Sequence, residues 1–156
     1  MSNTKVLLNR LGGAFGQEEL TEDFQQLFDV PHVLAVAADA AASTNTANTK
    51  MWSNPYDYPL VLVSAKVNPA SIVTTNATDY ATYTLYRDDG ANTAGVACAA
   101  VASNAASWAE DIALGLTLTP GNCVIAAGAN VFRNVLKAGN GVQLPVHTLS
   151  LRFRRA

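Results

Sequence analysis

Two segments joined by a polar loop constrain this chain more than anything else in it. In Tyr58-Pro59-Leu60-Val61-Leu62-Val63-Ser64-Ala65-Lys66-Val67-Asn68-Pro69, the residues Val61, Val63, Ala65 and Val67 fall on one side. In Asp79-Tyr80-Ala81-Thr82-Tyr83-Thr84-Leu85-Tyr86-Arg87, Ala81, Tyr83 and Leu85 share a side, and Tyr80, Thr82, Thr84 and Tyr86 share the other. A period of two in β-branched and aromatic residues is what a half-buried strand requires, because successive side chains leave opposite faces. Pro59 and Pro69 bracket the first strand, and Asp88-Asp89-Gly90 closes the second with a turn.

The body that follows residue 31 reads as about eight strands around this pair. Val33–Ala42 and Thr44–Trp52 precede it, and Asn54-Pro55-Tyr56-Asp57 makes the turn into it. Thr93–Ser103 is a fifth strand, rich in small residues. Ile112, Leu114, Leu116 and Leu118 alternate in a sixth, ended by Pro120-Gly121. Asn130–Lys137 is the seventh, turned by Gly139-Asn140-Gly141. The eighth carries His147, Leu149, Leu151 and Phe153 inward, with Thr148, Ser150, Arg152 and Arg154 outward. Strand after strand with Gly, Pro and Asn turns predicts an all-β, two-sheet β-sandwich, jelly-roll-like, over residues 32–156. An immunoglobulin arrangement is disfavoured, since Trp108 lies too close to both Cys98 and Cys123.

Residues 1–31 differ in kind and read as an N-terminal arm. Leu7, Leu11 and Phe15 are interleaved with Gly12-Gly13 and Gly16, without strand alternation. Thr21 caps a short helix, with Glu22 and Asp23 in its first turn. Leu20, Phe24, Leu27 and Phe28 then fall on one helical face, and Pro31 ends it. So short a helix is marginal alone and needs a surface to dock on. Either it lies across its own subunit's sheet, or it reaches a neighbouring subunit or larger assembly. The glycines favour reach.

Charge is small overall, −2 across 156 residues, which gives no bulk electrostatic reason to expect nucleic acid or anionic lipid. It is unevenly placed. Residues 1–31 set Lys5 and Arg10 against Glu18, Glu19, Glu22, Asp23 and Asp29, and the last six residues hold Arg152, Arg154 and Arg155. No apolar run approaches the ~20 residues of a membrane span, and the start lacks the pattern of a signal peptide, so a soluble, cytoplasmically made product is expected. In that reducing setting, Cys98 and Cys123 read better as two buried thiols than as a disulfide.

The chemistry-bearing residues form no recognisable reaction centre. There is no Gly-x-Ser-x-Gly elbow, no phosphate-cradling glycine loop with its lysine, and no paired histidines, so no catalytic, cofactor or metal residues are assigned. His147 reads as a hydrogen-bonded core or interface histidine. Asp88-Asp89 and Glu110-Asp111 read as a hairpin turn and a charged strand entrance. The aromatic group Trp52, Tyr56 and Tyr58, beside Asn54 and Asp57, has two readings. Trp52 and Tyr56 stack on a sugar, or Trp52 and Tyr58 cover one end of the core; the second fits large aromatics better.

Three stretches carry a resemblance: Pro59–Asn68, Asp79–Gly90 and Lys137-Ala138-Gly139-Asn140-Gly141-Val142-Gln143-Leu144-Pro145. They resemble virion proteins of tailed bacteriophages, and more narrowly the small β-sandwich decoration, or cement, proteins of phage heads and related fibre domains. The resemblance covers roughly residues 33–153. It implies a homotrimer on the outer capsid surface, at points of local three-fold symmetry, bound to the major capsid protein and needing no cofactor. In that setting the arm's Leu7, Leu11, Phe15, Leu20, Phe24, Leu27 and Phe28 would be the anchor to capsid or neighbouring subunit. The alternative within the same group is a fibre or receptor-binding domain that recognises host glycans through Trp52 and Tyr56.

Overall fold

The chain divides into two units, Met1–Val30 and Pro31–Ala156. The structure, a computed structural model, describes residues 31–39 and 42–156. The expected arm, with Leu7, Leu11, Phe15, Leu20, Phe24, Leu27 and Phe28, therefore lies outside the described residues.

The second unit is a sandwich of two antiparallel sheets. Its strands are β1 (His32–Val36), β2 (Thr46–Ser53), β3 (Leu60–Pro69), β4 (Tyr80–Asp88), β5 (Ala94–Ala102), β6 (Leu114–Gly115), β7 (Thr117–Leu118), β8 (Val124–Ile125), β9 (Asn130–Ala138) and β10 (His147–Arg155). A short 3₁₀ turn, Pro120–Asn122, precedes β8. One sheet runs β1-β10-β3-β6, with β8 also paired to β3, and the other runs β2-β9-β4-β5-β7. Consecutive strands alternate between sheets at both ends of the chain, and the last two insert between the first ones: β10 between β1 and β3, β9 between β2 and β4. That wiring is a jelly roll.

Burial follows the pleat. Ala81, Tyr83 and Leu85 of β4 and His147, Leu149, Leu151 and Phe153 of β10 are all buried, as their alternation predicts. With Val67, Val131, Val135, Ile125 and Leu144 they form the core between the sheets.

Three local expectations are corrected. In β3 the inward set is Leu60, Leu62, Ala65 and Val67, so Val61 and Val63 do not share a face with Ala65 and Val67. Leu62 pairs with Phe153 and Ser64 with Arg152, which leaves Val63 as an extra residue in a β-bulge that flips the side chains before it. The alternating run Ile112, Leu114, Leu116, Leu118 is not one strand. Leu114 pairs with Val67 in the first sheet and Leu118 with Ala99 in the second, so the chain crosses between sheets around Leu116. Ile112 precedes the crossing and is 64% exposed. Finally, the first strand ends at Val36 rather than at Ala42. The chain leaves the sheet there, turns Asp39 inward, and bonds the Asp39 amide to the Leu144 carbonyl at 3.0 Å.

The turn glycines differ in what an added side chain would meet. Gly141 has φ +69°, and a Cβ there would overlap the Ala42 carbonyl oxygen, a backbone atom. Gly128 has the same φ of +69° but faces open space. Gly128→Ala is expected to cost about 1–2 kcal/mol, the left-handed penalty alone. Gly141→Ala is expected to exceed it clearly, because steric overlap adds to that penalty. Urea unfolding of the two variants checks the order.

Candidate functional site

The aromatic residues singled out from sequence separate into two groups. Trp52, on the edge strand β2, stacks on Phe153 with ring centroids 4.2 Å apart and lies 5.3 Å from the His32 ring. These three side chains come from β2, β10 and β1, so Trp52 joins the two sheets along one edge of the sandwich. Tyr56 belongs to the loop before β3. It is 45% exposed and stacks on Tyr58 at 5.1 Å, and the Arg155 guanidinium covers the Tyr58 ring at 4.5 Å. Trp52 and Tyr58 both pack against the core, which is the structural reading of the sequence.

The neighbouring Asn54 is buried and fully engaged. Its amide nitrogen donates to the carbonyls of Tyr58 and Ala126 at 2.9 and 3.0 Å, and its oxygen accepts from the Tyr56 amide at 3.1 Å. Asn54 thus fixes the loop that presents Tyr56 and offers nothing to a ligand.

The acidic turn is likewise satisfied from within. Asp88 Oδ1 accepts from the amides of Gly90 and Asn92, and Oδ2 accepts from the Asn130 side chain at 2.7 Å. Burial pushes the Asp88 carboxyl up, but these bonds outweigh it and hold the group below the ordinary carboxylate range. Asp89 accepts from Ala91 and Thr93 in the same way. Among the described residues no group of three or more His, Cys, Asp or Glu is disposed to hold a metal ion, and no helix is long and apolar enough to cross a membrane.

The two cysteines are buried free thiols. Burial and the neighbouring Cys123 push the Cys98 thiol up to about 12, and burial raises Cys123 as well. Both sulfurs face carbonyls, of Leu85 for Cys98 and of Thr119 and Cys98 for Cys123, so they pack as neutral side chains.

Register defines two unlike outer faces. On the first sheet the outward rows are Ala35–Thr148–Asn68, Val33–Ser150–Lys66–Gly115, Arg152–Ser64 and Arg154–Val61–Val124. Lys66 and Arg154 are exposed there, and no acidic residue occupies any of these positions. On the second sheet the rows are Leu136–Thr82–Ala102, Asn134–Thr84–Ala100–Thr117 and Phe132–Tyr86–Ala97, with Lys50 beside Phe132. That face is small-residued and partly apolar, with Lys50 as the one charge among these rows, and two of its residues, Thr84 and Phe132, are buried.

Between the sheets lies a polar cluster that sequence reasoning missed. Arg133 and Lys137 share the inward face of β9 with Val131 and Val135. The Asp39 carboxylate meets Lys137 Nζ at 2.8 Å and Arg133 Nη2 at 3.5 Å, with all three side chains at most 7% exposed. Tyr83 contacts both Arg133, whose guanidinium carbon is 5.8 Å from the ring centre, and His147, edge-on at 5.5 Å. Burial pushes the Tyr83 hydroxyl far above its ordinary value, and the Arg133 cation only partly opposes this.

His147, as expected, is a core histidine. It is 2% exposed, and its Nδ1 lies 2.8 Å from the Pro145 carbonyl, which can only accept, so Nδ1 carries the proton. Burial lowers its affinity for a second proton, with the bond to Pro145 opposing and Arg133 adding to the shift. A folded-state value below the unfolded one means stability is complete above about pH 6.5 and is lost as pH falls through the folded value. Chemical unfolding between pH 5 and 8 is expected to show this loss on the acid side, and His147→Gln to flatten it.

Comparison with protein-family models and with curated proteins finds no match to this chain.

Proposed function

We propose that this chain is a structural virion protein, a decoration or cement protein that binds the outer surface of a phage head as a trimer and stabilises it. The observation that carries the reading is the pair of unlike outer faces on one jelly roll. The part of the second sheet's face around the exposed Leu136, with its alanines, threonine and asparagine and Lys50 as the charge, can be covered by another copy at little desolvation cost. The opposite face, with Lys66 and Arg154 exposed among valines, is suited to a partner of acidic character. Double-sheet jelly rolls serve in viral capsid and lectin domains, so the architecture is compatible with the role without requiring it. The resemblance of Pro59–Asn68, Asp79–Gly90 and Lys137–Pro145 to phage decoration proteins selects the first of those uses.

A cement protein adds buried area across joints between shell subunits. Each contact of about 800 Å² per partner is an ordinary specific interface, and attachment through several copies at once multiplies a modest affinity. The arm, residues 1–31, is assigned the anchoring role.

A second reading, a glycan-binding fibre domain, is favoured by the exposed Tyr56 stacked on Tyr58. The two are separated by paired measurements. The cement reading expects a trimer by mass in solution and no glycan-array signal. A monomer with array hits that vanish on Tyr56→Ala would replace it with the fibre reading.

A further inference from the structure

The cluster between the sheets is not neutral within itself. Arg133 and Lys137 bring two cations to a single carboxylate, Asp39, and Lys137 makes the closer contact. Lys137 also donates to the Val142 carbonyl, and Asp39 accepts from Thr46 Oγ1 at 3.4 Å. Arg133 approaches Asp39 through Nη2 at 3.5 Å and lies against Tyr83, its guanidinium carbon 5.8 Å from the ring centre. Its Nε and Nη1 are buried without a hydrogen-bond partner, and so are the Tyr83 hydroxyl and His147 Nε2. Arg133, Tyr83 and His147 arrive from β9, β4 and β10, and their side chains touch through the Tyr83 ring. Buried arginine donors are ordinarily satisfied, and an unpaired cation in an apolar interior is strongly disfavoured.

We propose that Arg133, Tyr83 and His147 hold a small monovalent anion, of halide size, between the two sheets. A water molecule would satisfy donors but leave the excess positive charge in place, whereas a halide does both. Arg133 Nε–H and Nη1–H and the Tyr83 O–H donate to it. His147 completes the shell conditionally. With Nδ1–H directed at Pro145, the neutral ring turns a lone pair on Nε2 toward the anion, and protonation converts Nε2 to a fourth donor. The charged groups facing the site are Asp39 from the loop after β1 and Arg133 and Lys137 from β9. Anion uptake is therefore coupled to proton uptake at His147, and affinity rises by up to about tenfold per pH unit lowered while the unliganded ring is neutral.

Bromide is the probe. Crystals of the full chain grown in sodium bromide are expected to give an anomalous peak in contact with Arg133 Nε and Nη1 and Tyr83 Oη. Thermal melts in sodium bromide against sodium gluconate at equal ionic strength are expected to show halide-specific stabilisation, larger at pH 5.5 than at pH 7.5. Arg133→Met is expected to abolish the halide dependence. If that variant fails to fold, Tyr83→Phe removes one donor while keeping the ring, and is expected to weaken it. Scattering no stronger than a water's at that position, or equal melting in both salts at both pH values, overturns the proposal.

Discussion

Replacing Asp39 with alanine is expected to remove about 3–5 kcal/mol of folding free energy, a large share of what a domain of this size has. The reason is what the substitution leaves behind. Lys137 Nζ and Arg133 Nη2 both face the Asp39 carboxylate, and the lysine and aspartate side chains are 2% and 1% exposed. Without the carboxylate two cations remain between the sheets, neither able to reach water without opening the sandwich. The loop also suffers, because the Asp39 backbone is tied to Leu144 and, through its carbonyl, to the Gln143 side chain at 2.6 Å. Removing the charges together is a different matter. Asp39→Leu combined with Lys137→Met and Arg133→Met is expected to recover most of the loss, since buried ion pairs are often no better than apolar residues of equal volume. Urea unfolding of the single and triple variants decides it; a single-variant loss below about 1 kcal/mol would mean the pair behaves as a surface contact.

Leu151→Ala is expected to cost about 2–5 kcal/mol. Leu151 is fully buried in β10, the strand flanked by β1 and β3, and its backbone pairs with His32 on one side and Ala65 on the other. A cavity there cannot collapse readily, because the strands on both sides are held in register. The adjacent Ser150 points outward between Val33 and Lys66, and Ser150→Ala is expected to change stability by no more than about 0.5 kcal/mol. Denaturant midpoints for the two neighbours test the inward and outward assignment of β10 directly.

That assignment was readable from the residues alone. β4 and β10 alternate apolar and polar side chains without interruption, and the structure buries the apolar set of each. β3 misled because Leu60 to Val63 is apolar at every position, so periodicity could not say which pair faces in. The bulge at Val63 then reversed the choice. The crossing near Leu116 was hidden for a related reason: a chain that passes from one sheet to the other can keep apolar residues at every second position while belonging to neither sheet throughout. Arg133 and Lys137 were obscured by their partners on the opposite face. Val131-Phe132-Arg133-Asn134-Val135-Leu136-Lys137 offers two apolar sets, and only the tertiary fold shows that the set carrying the cations faces the core. Asp39, a lone acid in an alanine-rich run, carried no periodic signal; its depth follows from the early end of β1.

On the functional side, Trp52 and Tyr56 looked like one aromatic surface because they are four residues apart. The edge strand holds Trp52 against Phe153, and the Asn54-anchored loop carries Tyr56 to a separate stack with Tyr58. The charge contrast between the outer faces was half visible in the arginines that end the chain. Lys66 joins them only because β3 pairs with β10.

The most direct measurement is co-sedimentation of the purified chain with expanded, undecorated phage heads, followed by imaging of the pelleted particles. The proposed role predicts saturable binding in multiples of three copies at the outer surface, and heads that withstand higher temperature when saturated. A chain that stays in the supernatant at saturating concentration, leaving head stability unchanged, would contradict it.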